Sequence, residues 1–243
     1  MLYLLNMKHN ISIIKTASLA EGTKKALNLI LENNKQSVIW LSGGSSPRPL
    51  YEKLSKEENF KPAAAALIDE RFGEPGHKDS NEKMVRETGL IDALAKNNIS
   101  FFAPLDSKFL ILDSLEQTAK NYEQVVKDLI DDHSQHIMIM GLGPDGHTAG
   151  LFPEISPTNK YVIGYKTKLN EFHERITVTP KTIKTLAYKG AILVILAFGD
   201  NKKEAIAKML HHNSQSAEAA GATYHHLINC GCQIHLITDQ EVS

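Results

Sequence analysis

A three-layer α/β fold, with a mostly parallel sheet and helices on both faces, is predicted by three features of this 243-residue sequence. Short, nearly continuous apolar runs alternate with segments of helical periodicity, and such runs suit strands buried on both faces. Several of them stop at glycine or at consecutive charges, as strands do where the chain turns at a sheet edge. No repeat, low-complexity tract or linker divides the chain, so residues 1–243 read as one domain.

Leu19, Thr23, Ala26, Leu27 and Ile30 share one helical face and define a first helix over Leu19 to Leu31. Ser37 to Ser42 is a buried strand that ends in Gly43-Gly44, with Pro47 suited to the first turn of the next helix. Ala64 to Ile68 is a second strand, ended by Asp69-Glu70-Arg71, and Ser80 to Glu87 is a helix with Ser80 as N-cap. Leu115, Ala119, Tyr122, Val126 and Leu129 set a long helix from Ser114 to Ile130. A strand over Ile137 to Met140 leads into the glycine-rich Gly141 to Gly150. Pro153 to Arg175 is polar and weakly periodic, a long loop or small subdomain over the site. Ala191 to Phe198 is the strongest strand, stopped by Gly199 and followed by a helix from Asn201 to Leu210; Gln233 to Thr238 is the last strand.

A hydrophobic content of 42% and a charged content of 23% are ordinary for a globular protein. The formal net charge of -1 offers no field for nucleic acid or a membrane surface, so an anionic ligand needs a local site. Cys230 and Cys232, one residue apart, are too close for an unstrained disulfide and read as reduced thiols. His225 and His226 before them lack zinc-ligand spacing, so no metal site is expected. The apolar Met1–Leu5 is too short for a signal peptide, Asn6 and Lys8 interrupt it, and Met7 is an alternative start. With no membrane-length apolar run, the expected location is cytoplasmic.

Four segments at predicted strand ends carry chemistry, and in a parallel sheet they would converge on one edge. Ser42-Gly43-Gly44-Ser45-Ser46-Pro47 combines close backbone approach, hydroxyl donors and a following helix start, which suits a phosphate as well as a plain turn. No Gly-Lys-Ser/Thr follows it, so it is not a Walker loop. Asp69-Glu70-Arg71 has no packing reason to follow a buried strand directly. Arg71 suits a phosphate, while Asp69 and Asn81 suit sugar hydroxyls or a water, unless the run is a solvated turn beside a helix cap. Gly141 to Gly150 packs four glycines into ten residues and sets Asp145 two residues from His147. Most of the eleven histidines need no functional explanation, but this setting suits proton transfer near neutral pH. Arg175 and Lys202 would complete an anion pocket or else lie on the surface. No GxSxG elbow is present.

Taken together, Ser42–Pro47, Asp69–Arg71 with Asp79–Asn81, Gly141–Pro153, Arg175–Thr179, and Gly199 with Lys202 resemble the 6-phosphogluconolactonase family. More distantly the chain is similar to the glucosamine-6-phosphate deaminases of the same Rossmann-like fold. The resemblance implies hydrolysis of a small phosphorylated sugar lactone, 6-phospho-D-glucono-1,5-lactone, without metal or organic cofactor, by a monomer or small homo-oligomer. It casts His147 as general base, with Asp145 or Asp69 orienting the imidazole or the water. Gly43, Gly44, Ser45, Ser46, Arg175 and Lys202 would hold the phosphate, with Arg71 there or at the developing oxyanion. The chain departs from the family pattern at Gly73-Glu74, Glu174 and Lys184.

Two other readings are distinguishable. The deaminases carry an Asn-Glu-Pro run after the histidine loop, where this chain has Leu151-Phe152-Pro153. A non-catalytic phosphosugar sensor is expected to carry a basic DNA-binding segment at its N-terminus, and none is read here.

Overall fold

The computed structural model describes residues 11–152, 158–168, 172–210 and 233–242. Cys230, Cys232, His225, His226, Pro153 and the Met1–Lys8 segment lie outside the described residues. Seven strands form one parallel sheet: β1 (Ile11–Lys15), β2 (Ser37–Leu41), β3 (Ala64–Leu67), β5 (Ser100–Phe102), β6 (Gln135–Gly141), β9 (Ile192–Ala197) and β10 (Gln233–Thr238), in the order β1-β10-β9-β6-β2-β3-β5.

The apolar runs are continuous because both faces of the sheet are covered, and successive residues alternate between two cores. Val38 and Trp40, Met138 and Met140, and Leu193 and Ile195 face one core with α5 (Leu115–Asp132), α6 (Pro180–Tyr188) and α7 (Lys203–Leu210). Ile39 and Leu41, Ile137 and Ile139, and Val194 and Leu196 face the other. There they meet α1 (Leu19–Asn33), α2 (Arg48–Leu54), α3 (Asn81–Glu87) and α4 (Leu90–Lys96). Ser18, Ser80, Ser114 and Thr179 cap α1, α3, α5 and α6 by accepting a backbone N–H of the first turn. His136 is a core histidine: it meets Trp40 Nε1 at 3.4 Å, and burial pulls its pKa down to about 4, which keeps it neutral.

A second sheet, antiparallel in the order β4-β8-β7, was not read from the sequence; it contains β4 (Asp69–Arg71), β7 (Val162–Lys166) and β8 (Glu174–Val178). Ile68 is the crossing point, since its N–H donates to Leu41 O at 2.8 Å in the large sheet and its carbonyl accepts from Val178 N at 2.9 Å in the small one. The Asp69-Glu70-Arg71 run, expected as the end of a strand, is therefore a strand of its own. Arg175 lies inside β8, not at a strand end. Part of 153–175, expected as a long loop or a small subdomain, is β7, packed so closely on α5 that a Cβ on Gly164 would stand 2.8 Å from Leu115. The expected helix start at Asn201 is a 3-10 turn, Asp200–Lys202, with α7 beginning at Lys203.

Candidate active site

The strand order reverses between β2 and β6, and ligands of open α/β sheets lie at such a switch point. Their two outgoing loops are stitched together there. Ser42 N donates to Ile139 O at 3.1 Å, and Gly141 N donates to Ser42 Oγ at 3.2 Å. Tyr51, buried in α2, donates its hydroxyl to Ser42 O at 2.9 Å, and burial pushes its pKa above the usual phenol range.

An open pocket lies over this point. It is lined by nine of the eleven candidates: Gly43, Gly44, Ser45, Ser46, Asp69, Arg71, His147, Arg175 and Lys202. Gly44 takes φ +107°, a backbone region that side chains disfavour, which turns the loop before α2. Three cations face one carboxylate in the lining, a positive excess that suits a phosphate even with the nearby Asp145 counted.

His147 is positioned from two sides. Its Nδ1 lies 2.5 Å from Asp145 Oδ1, and its ring stacks on Phe152 with centroids 4.6 Å apart and planes at 18°. A hydrogen bond to the carboxylate places the proton on Nδ1 and leaves the Nε2 lone pair as the base. Burial raises the pKa of Asp145, but the charge and hydrogen bonds of His147 prevail and hold it below the usual carboxylate range. The loop is closed by Gly143 N donating to His147 O at 2.7 Å and by Thr148 Oγ1 donating to Gly141 O at 2.7 Å. A Cβ on Gly143 would run into both His147 and Asp145. We expect Gly143→Ala to misplace this pair and lower kcat about 10²-fold, with little change in thermal midpoint; steady-state kinetics beside a melting curve check it.

Arg175 is 2% exposed, its guanidinium 4.9 Å from the Phe152 centroid and Nη1 3.9 Å from Asp69 Oδ2. Burial pulls its pKa down and Asp69 opposes this, and an arginine stays charged throughout. Burial likewise lowers the pKa of Lys202, with Asp145 opposing. Among the described residues, Asp69 Oδ1, Arg71 Nε and Arg175 Nε are buried without hydrogen-bond partners, a concentration of unsatisfied polar atoms in one wall.

Two candidates do not line the pocket. Asp145 stands behind His147 and orients it, a role left open above between Asp145 and Asp69. Asn81, expected to touch substrate, is buried behind the wall; its Nδ2 donates to Asp69 O at 2.8 Å and its Oδ1 accepts from Arg71 Nη1 at 2.6 Å. The amide also fills the space that a Cβ on Gly43 would occupy.

Sequence reasoning missed Phe152, Glu70 and Asp239. Glu70 is fully buried beside the start of α3. Asp239 follows β10 and accepts Gly199 N at 3.0 Å, which holds the turn bearing Lys202. For both acids the visible signal was a carboxylate within two residues of the end of an apolar run.

A cationic pocket with one oriented imidazole, at the switch point of a parallel sheet, marks the candidate active site of an α/β enzyme. The family model described as glucosamine-6-phosphate isomerases/6-phosphogluconolactonase matches residues 15–228, and the chain belongs to that family. The 6-phosphogluconolactonase of Helicobacter pylori (strain J99) is 34% identical over 170 residues, which span 68% of this chain and 64% of that protein. That of Neisseria meningitidis serogroup A is 26% identical over 222 residues, 88% of this chain and 91% of the relative. A glucosamine-6-phosphate deaminase of Malacoplasma penetrans is 26% identical over 234 residues, 86% of this chain and 91% of the relative. Among solved structures, a 6-phosphogluconolactonase from Trypanosoma cruzi shares the fold with a TM-score of 0.73 at 23% identity, covering 96% of each chain.

Proposed function

We propose that the chain is a 6-phosphogluconolactonase, hydrolysing 6-phospho-D-glucono-1,5-lactone to 6-phospho-D-gluconate in the oxidative branch of the pentose phosphate pathway. The observation that carries this reading is His147 in the same pocket as Arg71, Arg175 and Lys202, with Asp145 on its Nδ1. His147 Nε2 takes a proton from water as the water oxygen bonds to the lactone carbonyl carbon. Charge gathers on the carbonyl oxygen, the ring C–O bond breaks, and the imidazolium returns the proton to the departing ring oxygen. The Ser42–Pro47 loop with Arg175 and Lys202 holds the phosphate, and Arg71 serves there or at the oxyanion. In this reading the chain works as a single domain, as a monomer or small homo-oligomer. A phosphorylated lactone does not cross an apolar membrane interior, so the enzyme shares the compartment where the lactone forms, the cytoplasm in this reading.

Phe152 favours the lactonase over the deaminase. In the position where the deaminases carry an acid for ring opening, this chain has an aromatic ring in contact with both His147 and Arg175. Fresh lactone, coupled to 6-phosphogluconate dehydrogenase, is expected to disappear far faster with the protein than without it. Glucosamine 6-phosphate should release no ammonia. Brisk ammonia release, or lactone decay at the uncatalysed rate, would overturn the proposal.

A further inference from the structure

Glu70 lies between two residues that face the pocket, and in an extended segment alternate side chains point to opposite sides. Asp69 and Arg71 line the pocket, whereas the Glu70 carboxylate is directed at the first turn of α3. It is 0% exposed and accepts two hydrogen bonds on each oxygen. Oε1 receives Arg71 N at 2.7 Å and Asn81 N at 2.7 Å; Oε2 receives Ser80 Oγ at 2.9 Å and Glu82 N at 2.8 Å. Burial pushes its pKa up to about 7, against these four donors.

The acid thus ties together the backbone of Arg71 and the start of the helix whose first residue, Asn81, holds the Arg71 guanidinium. Arg71 Nη1 donates to Asn81 Oδ1 at 2.6 Å and to Asp79 O at 2.8 Å, so one terminal nitrogen is occupied and the guanidinium is aimed from behind. We infer that Glu70 is a positioning residue for ligand binding, acting through Asn81 on Arg71. A clamp of this kind makes the arginine rigid before the ligand arrives, which reduces the ordering that binding requires. The inference rests on the lactonase reading only for what the ligand is; the clamp itself concerns any phosphorylated ligand of this pocket.

The test is a double-mutant cycle of Glu70→Gln and Arg71→Ala, with two readouts: the Kd of inorganic phosphate, and kcat/KM on fresh lactone. Gln keeps the shape of Glu but turns an N–H₂ toward donors. Glu70→Gln is expected to worsen about tenfold whichever readout Arg71→Ala affects, and to change it less than twofold in the Arg71→Ala background. Equal factors in both backgrounds would mean that Glu70 serves the fold alone, and would overturn the inference. So would an Arg71→Ala variant that moves neither readout. If Glu70→Gln shows no cooperative unfolding transition, Asn81→Ala takes its place, because it cuts the link to Arg71 while leaving the carboxylate on the helix start. Failure of the lactonase reading is separately visible: wild type would bind phosphate but leave lactone decay unchanged.

Discussion

Replacing His147 with alanine is expected to lower kcat on the lactone about 10²–10⁴-fold, the usual contribution of a positioned general base. The Kd of inorganic phosphate should stay within about twofold, because the Ser42–Pro47 loop and the pocket cations remain. The physical reason is the division of labour in the pocket. Among the described lining residues, His147 brings a ring nitrogen lone pair held in place by Asp145, whereas Arg71, Arg175 and Lys202 are donors with no lone pair in their charged forms. Deleting the ring also leaves Asp145 without its partner, but that carboxylate is half exposed and water replaces the contact. The variant should therefore stay folded. The coupled assay and phosphate calorimetry measured on one preparation decide the matter. Retention of more than a tenth of wild-type kcat would remove His147 from the chemistry.

Replacing Arg175 with methionine is expected to weaken phosphate binding and raise KM by about 30-fold or more, the range seen when one member of a buried, hydrogen-bonded charge pair is truncated, about 2–5 kcal/mol. Arg175 is almost wholly buried, rests on the Phe152 ring, and has an Nε without a hydrogen-bond partner among the described residues, so its charge is weakly compensated until an anion arrives. The substitution also leaves Asp69 buried without its cation, and that loss lowers stability irrespective of any ligand. Combining Arg175→Met with Asp69→Asn separates the two effects. Stability measured in urea should recover toward wild type, whereas phosphate affinity should not. Arg175→Lys should fall between, since the ammonium keeps the charge and loses the planar fork. Phosphate affinity unchanged in Arg175→Met would place the anion elsewhere in the pocket.

Five of the seven central strands were legible for a simple reason, whereas β1 and β5, at the two edges of the sheet, went unread. Strands covered on both faces admit little besides apolar residues, so Ser37–Leu41, Ile192–Ala197 and Gln233–Thr238 stand out in one dimension. Their helices showed through caps and periodicity, α5 after Ser114 above all. The smaller sheet gave no such signal. β4 is three residues of charge, and its partner β8 lies about a hundred residues away, so only pairing makes it a strand. Thr179-Pro180, an N-cap followed by a first-turn proline, did mark the start of α6 and went unread.

The site divides in the same way. Its loops declared themselves because close approach and proton transfer demand particular residue types at strand ends: Gly43-Gly44, Asp69, and the run from Gly141 to Gly150. By itself, then, the sequence determined the layered architecture and pointed to the sheet edge where nine of the eleven candidate residues meet, with His147 as the proposed base. Only the tertiary structure decided that Asp145 holds the imidazole, that Asn81 props Arg71 from behind the wall, and that Phe152 lies against both His147 and Arg175. Backbone geometry is dictated by neighbours in the chain, which a pattern records. Side-chain contacts between segments far apart in the chain depend on how whole layers pack, and no local pattern encodes them.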